Sequence, residues 1–273
     1  MDQWMWQGAV FFDYDGTLVD KERGVPAPTA GTKEALSRLK ENQYLKVLCT
    51  GRPMAYIPQD AKELGFDGWI TTNGAYAQMD GKMLFNHLLD RESVNCFMKA
   101  CEGLKISFAM EGQDACYYRI FSSIFEGWTK RFQICTKNMY PIEELKAWSI
   151  NKIIIAFDEE NQFSQLEREF GDRFVFDRHA LFTSSDVSRK GINKGTGVKQ
   201  FLAHLNLSDG QTYAIGDSDN DLEMIKFAKT GIAMGQHSPR LGRAADYITD
   251  NVANDGVAKA LEHFHLVRQP LFR

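Results

Sequence analysis

Two aspartates one residue apart close an apolar run near the N-terminus, Ala9-Val-Phe-Phe-Asp13-Tyr14-Asp15-Gly16-Thr17. Side chains alternate along a strand, so Asp13 and Asp15 tend to point the same way where a strand ends. Two carboxylates so placed repel each other and need positive charge beside them. A divalent, oxygen-loving cation such as Mg²⁺ meets that need. An isolated D-x-D pair is more often a solvated turn, so the reading depends on the rest of the chain. A Ca²⁺ loop does not fit, because twelve residues counted from Asp13 end at Gly24, where such a loop requires Glu.

Three further stretches decide the matter. Leu45-Lys-Val-Leu-Cys49 is a second short apolar run; it ends in Thr50-Gly51-Arg52-Pro53, and Pro53 suits the first turn of a following helix. Thr212-Tyr-Ala-Ile-Gly216-Asp217 is a third run, followed by Ser218-Asp219-Asn220-Asp221. This acidic stretch also fails as a Ca²⁺ loop, with Leu222 where Gly is needed and Ala228 where Glu is needed. Acids suit a helix N-terminus as well, but directly after a strand, in a chain already holding Asp13 and Asp15, a metal site is the better reading. Arg189-Lys190-Gly191-Ile192-Asn193-Lys194-Gly195 is the main local positive cluster. Such runs are usually solvated faces, yet Lys194 stands just ahead of an expected helix. With Thr50 and the Gly51 N–H it would supply the ammonium, hydroxyl and amide that a phosphate needs. No G-x-x-x-x-G-K-[ST] phosphate loop occurs.

Short apolar strands at 9–12, 45–49, 69–72, 212–217, 231–234 and 247–249 alternate with helical patterns at 30–43, 195–205, 219–229 and 256–264. That rhythm predicts an α/β fold, a Rossmann-like parallel-sheet core. Ligands bind beyond the carboxyl ends of strands in such sheets, so Asp13, Asp15, Thr50, Gly51 and Asp217 can converge despite their separation. From about residue 83 the rhythm changes. Helices are expected at 91–104, 125–132, 142–148 and 161–170, with strands at 106–110, 116–120, 152–157, 174–177 and 180–184. This predicts a separate α+β unit inserted over 83–184, with the core formed by 1–82 and 185–273.

Composition narrows the class. The 273 residues are 44% hydrophobic, ordinary for a protein with a full core. A formal charge of −4 argues against a general nucleic-acid or membrane-surface binder. The cysteines, at 49, 96, 101, 116 and 135, are odd in number and form no C-x-x-C pair. That pattern suits a reducing cytosol, with neither a disulfide framework nor a zinc site. No apolar run reaches the roughly 18 residues of a membrane span, and the opening MDQWMWQG lacks the regions of a signal peptide. A cytoplasmic protein is expected.

The order Asp13-x-Asp15-Gly-Thr, Thr50-Gly51, Lys194 and Gly216-Asp217-x-x-Asn220-Asp221 resembles the haloacid dehalogenase-like phosphohydrolases. It looks most like the Cof-type members, whose large α/β cap lies between the second and third motifs. The resemblance spans essentially the whole chain, and Asp255-Gly256-Val257-Ala258-Lys259-Ala260 looks like the family's closing helix. It implies that Asp13 is a nucleophile forming an aspartyl-phosphate and that Asp15 is the general acid and base. It implies Mg²⁺ on Asp13, the Asp15 backbone carbonyl and Asp217, with Asp221 orienting Lys194 or the metal's waters. The Tyr14 and Gly51 N–H groups, Thr50, Lys194 and Asn220 would hold phosphate oxygens. Asp20 and Asp219 read as ordinary surface acids; Arg52 either faces the cleft or forms a surface pair, the second being preferred.

The implied substrate is a small phosphorylated metabolite, a sugar phosphate foremost. An acid at 15 separates this chain from the superfamily's dehalogenases, and from its ATPases, which usually carry Thr there. The alternatives are a phosphomannomutase-like phosphomutase and a non-catalytic regulatory binding protein on the same fold. Tyr117, Tyr118, Arg119, Arg178 and His179 stay unassigned, and Asn73 either touches substrate or caps a turn. Since a cap of this kind excludes water and sets specificity, substitutions within 83–184 should change which ester is preferred more than they change single-turnover chemistry. Equal effects on good and poor substrates, measured by single-turnover assay, would count against that.

Overall fold

Short runs rich in β-branched and aromatic residues, with no polar face, form strands buried on both sides. A computed structural model describes residues 6–131, 134, 136–179 and 183–267. In chain order the strands are β1 (Gly8–Phe12), β2 (Tyr44–Cys49), β3 (Gly68–Thr71), β4 (Tyr76–Met79), β5 (Lys82–Asn86), β6 (Ser107–Gly112) and β7 (Cys116–Arg119). There follow β8 (Met139–Pro141), β9 (Ile150–Ala156), β10 (Phe174–Arg178), β11 (Ser184–Arg189), β12 (Thr212–Gly216), β13 (Thr230–Ala233) and β14 (Tyr247–Ile248).

The chain forms two compact units. One takes the chain up to Gly51, Gln59–Phe85 and the chain from Asn193. Its sheet has the order β14-β13-β12-β1-β2-β3-β4-β5. The run from β14 to β3 is parallel, and β4 turns back antiparallel on β3. Every residue of β1 is buried. Phe11, Val47, Phe201 and Ile225 belong to the core beneath it. The β4–β5 hairpin was not expected from the sequence. Its turn, Asp80-Gly81, has φ of 50° and 71°, the pair of left-handed residues that a tight hairpin demands and that Asp-Gly supplies.

The second unit takes Arg52–Pro58 and Asn86–Ile192. Its sheet has the order β10-β11-β9-β6-β7-β8. The helices Arg91–Gly103 and Glu160–Phe170 bury Phe97, Leu166 and Phe170 against Phe108, Met110, Ile153 and Ile155. Ala55 and Tyr56 pack with Ala109, Phe125, Ile154 and Ala156. Strand β11 pairs with β9 and β10 in this sheet, so residues 185–189 fall in it and not in the first sheet's unit.

The helix expected at 142–148 is a single 3₁₀ turn, Ile142–Glu144, which Leu145 ends in an extended conformation. Arg52, expected in a surface pair, is buried, and its guanidinium donates to the Tyr56 carbonyl at 3.3 Å. Residues 180–182 of the strand expected at 180–184, Phe132 at the end of an expected helix, Cys135 and the first five residues lie outside the described residues. Among the described residues no helix is long and apolar enough to cross a membrane.

The second unit also buries charge. Lys152 Nζ lies 3.0 Å from Glu111 Oε2 and 2.7 Å from Asp186 Oδ1, on three adjacent strands. Burial pushes the Glu111 carboxyl up to about 7 against the pull of Lys152. Removing the one ammonium leaves two buried acids, so Lys152→Met should cost about 3–5 kcal/mol of stability at pH 8. Acids whose folded-state values are raised bind protons on folding, and the stability this gives is lost as pH rises. Part of the loss should therefore return at pH 5. Denaturant melts at the two pH values check this, and an equal loss at both would contradict it.

Candidate active site

β1 and β12 are neighbouring parallel strands, and the Asp13 N–H donates to the Ile215 carbonyl at 3.0 Å, one residue past β1. Asp13 and Asp217 thus leave adjacent strands at their carboxyl ends. The Asp13-to-Thr17 turn then folds over Asp217. Gly16 has φ of 90°, and a Cβ there would lie 2.2 Å from an Asp217 carboxylate oxygen, so only glycine permits the approach. The Thr17 hydroxyl donates to Asp217 Oδ1 at 3.4 Å. Asp15 is half-buried and bridges to Val19.

Lys194 opens the helix Lys194–His204, which Asn193 caps by accepting from the Thr196 N–H. The lysine is fully buried, with Nζ 2.6 Å from Asp13 Oδ1 and 2.5 Å from Asp221 Oδ1. The other Asp221 oxygen accepts from the Asp217 and Ser218 N–H groups at 3.0 and 3.1 Å. Carboxylate oxygens of Asp13, Asp217 and Asp221 all lie within 4.8 Å of one another.

Three carboxylates against one ammonium leave negative charge in excess. Burial pushes the Asp13 carboxyl up to about 7, against Lys194 and with help from Asp221. Burial, then Asp221 and Asp13, push Asp217 well above the carboxylate range. Burial disfavours the Lys194 charge, yet Asp13 and Asp221 together hold its proton above the ordinary lysine value. An all-oxygen donor set with surplus negative charge fits a hard divalent cation.

Thr50 and Gly51 follow β2, and the Thr50 carbonyl accepts from the Asn73 N–H at 3.2 Å. Asn73 Oδ1 accepts from Asn220 Nδ2 at 3.2 Å. Thr72 and Asn73 have φ of 49° and 53°, left-handed values that cost non-glycine residues on the order of 1–3 kcal/mol each. Tyr14, between the two motif aspartates, is fully buried; its hydroxyl donates to Asp60 at 3.1 Å. Sequence reasoning missed Asp60, since nothing local marks a partner 46 residues away. Asp20, expected at the surface, is buried; it accepts from the Arg23 N–H and pairs with that guanidinium at 2.9 Å. Asp219 is exposed and pairs with Arg240 at 3.5 Å.

A parallel sheet with acids and a buried lysine at its carboxyl edge, in a chain that also carries a second sheet-bearing unit, defines a class of hydrolase. Residues 10–261 match the model of the haloacid dehalogenase-like hydrolases, and the chain belongs to that family. It is similar to the putative phosphatase YkrA of Bacillus subtilis (strain 168), 27% identical over 265 residues that cover 95% of this chain and 98% of that protein. It is also similar to the 5-amino-6-(5-phospho-D-ribitylamino)uracil phosphatase YcsE of the same strain, 42% identical over 262 residues, covering 94% and 95%. Among solved structures, the subclass IIB sugar phosphatase BT4131 superposes with a TM-score of 0.84 at 26% identity, covering 95% of this chain and all of that one. Within the family the chain is a phosphatase-type hydrolase.

The raised carboxyls tie stability to pH. Without a cation the folded cluster holds a proton on Asp13 that the unfolded chain has already lost between about pH 4 and 7, so this contribution to stability fades as pH rises through that window. A bound divalent ion would keep the acids ionised and release the proton. Excess Mg²⁺ or Mn²⁺ should therefore raise the melting temperature more at pH 7.5 than at pH 5.5, and Asp217→Asn should melt above wild type in EDTA. No cation-dependent shift at either pH would contradict the site.

Proposed function

We propose that this chain hydrolyses phosphomonoesters of small metabolites, sugar phosphates foremost, through an aspartyl-phosphate on Asp13. The reading includes Mg²⁺ held by Asp13, the Asp15 main-chain carbonyl and Asp217. The observation that carries it is Lys194 Nζ, buried and within 2.6 Å of both Asp13 and Asp221. A fully buried ammonium facing the first aspartate of a strand-end pair is arranged to hold a nucleophilic carboxylate and an anionic substrate side by side.

An Asp13 oxygen attacks phosphorus, and the bond from phosphorus to the leaving oxygen breaks. Asp15 gives its proton to that oxygen. Asp15, now ionised, takes a proton from water; the water oxygen attacks phosphorus, and the Asp13 carboxylate is released with inorganic phosphate. Thr50, the Gly51 and Tyr14 N–H groups, Lys194 and Asn220 hold the phosphate oxygens throughout. Mg²⁺, when bound, supplies neutralising charge between nucleophile and phosphate. Supporting Asp217 over Asp221 as the ligand is the use of both Asp221 oxygens by Lys194 and two backbone amides; Asp221 then orients the lysine. The half-buried Asp15 keeps the water access its two proton transfers need.

The substrate class rests on the relatives, one described as a sugar phosphatase and another as acting on a phosphoribityl compound. Residues of the second unit set the choice among esters. Asp13→Asn should cut turnover of an aryl phosphate by on the order of 10⁴-fold or more while the far-ultraviolet circular dichroism is retained. A screen of phosphorylated metabolites with Mg²⁺, and with EDTA as control, would identify the preferred ester. Wild-type-like turnover by the variant, or turnover indifferent to EDTA, would overturn the reading.

A further inference from the structure

We propose that Asn73 is a positioning residue for the phosphate-binding end of the site and that it acts by clamping Asn220. The inference rests on the phosphatase reading and deepens it.

Asn73 sits in the strained turn Thr72-Asn73-Gly74, where φ is 49°, 53° and 91° in succession. A β-branched residue in the left-handed region is not there by preference, so contacts must hold it. The Asn73 N–H ties the turn to the Thr50 carbonyl at 3.2 Å. Gly74 lies so close to the start of the lysine-bearing helix that a Cβ would be 2.1 Å from the Asn193 carbonyl. One turn therefore seats residue 50 on one side and the approach to Lys194 on the other.

The Asn73 side chain is 3% exposed. An Asn that merely caps a turn bonds its own backbone two residues on. Here the side-chain oxygen accepts from Asn220, 147 positions away, at 3.2 Å. At its other end the Asn220 amide oxygen accepts from the Ser218 hydroxyl at 2.7 Å. A planar amide pinned at both ends cannot swing, and its second N–H is left pointing in a fixed direction as a donor. Gly51 shares this corner. A Cβ on it would lie 2.9 Å from Asn73 Oδ1 and 3.5 Å from Asn220 Nδ2, so any side chain at 51 would press on the clamp. The donor assigned to phosphate at 220 is thus aimed by one buried amide, and a donor aimed in advance costs no reorganisation when charge arrives.

Asn73→Gly isolates the side chain, because glycine adopts the φ of 53° freely. The competitive inhibition constant of inorganic phosphate and the KM for an aryl phosphate should each rise roughly ten- to hundredfold, as misaimed groups do. The Mg²⁺ activation constant should stay within twofold, a split that a general loss of structure would not give. In an Asn220→Ala background the same substitution should add nothing, because the route runs through Asn220. Wild-type-like phosphate inhibition by Asn73→Gly, or losses that add in the double variant, would overturn the inference. If Asn73→Gly does not fold, Ser218→Ala tests the clamp from its other end with the same expected rise and the same non-additivity. A phosphate affinity unchanged in Asn220→Ala would instead strike at the phosphate reading itself, which the Asp13→Asn assay judges separately.

Discussion

The site depends on one ammonium buried among acids. Lys194 is fully buried, so its charge survives because Asp13 and Asp221 stand within 2.6 Å. Those carboxylates in turn tolerate burial only because the lysine, and a cation of opposite charge to theirs, can share the place. Each group would be a fault in the fold by itself. Together they satisfy one another, and on the proposed mechanism they would hold the negative charge of a phosphate where a carboxylate attacks it.

The rest of the first unit serves that arrangement. Adjacent parallel strands deliver Asp13 and Asp217 side by side. A helix start delivers Lys194, and its cap fixes where the lysine begins. Asp221 spends one oxygen on the lysine and the other on two backbone amides, so it fixes where the ammonium sits. Tyr14 carries its hydroxyl to Asp60 and anchors the link between the two motif aspartates. Asp13, Lys194, Asp217 and Asp221 are therefore each held by a hydrogen bond with a neighbour.

What the sequence made legible was local chemistry at strand ends. Asp13, Asp15, Thr50, Gly51 and Asp217 each follow an apolar run, and the run sets their position before any tertiary contact is known. Lys194 was legible from its place at a helix start. The Asp80-Gly81 hairpin was visible in principle and overlooked, since its flanking strands are short and β5 is largely exposed. Asp20 and Arg52 were misread as surface groups because burial of a charged residue is decided by partners in space, and a side chain with a satisfied partner can be buried anywhere. Asp60 carried no signal for the same reason. The end of the inserted unit was misplaced because β11 reads Ser-Ser-Asp-Val-Ser-Arg, a polar run whose strand character comes from pairing with β9 and β10 and from the lysine that meets Asp186.

The central claim is that Asp13 becomes covalently phosphorylated beside Lys194. Its most direct test is acid quenching of the enzyme during turnover of a phosphomonoester with Mg²⁺, followed by mass spectrometry of the peptides. The account predicts one phosphoryl group on the peptide containing Asp13, labile at alkaline pH and absent in Asp13→Asn. A phosphoryl group trapped on another residue, or none at any quench time while phosphate is being released, would contradict it.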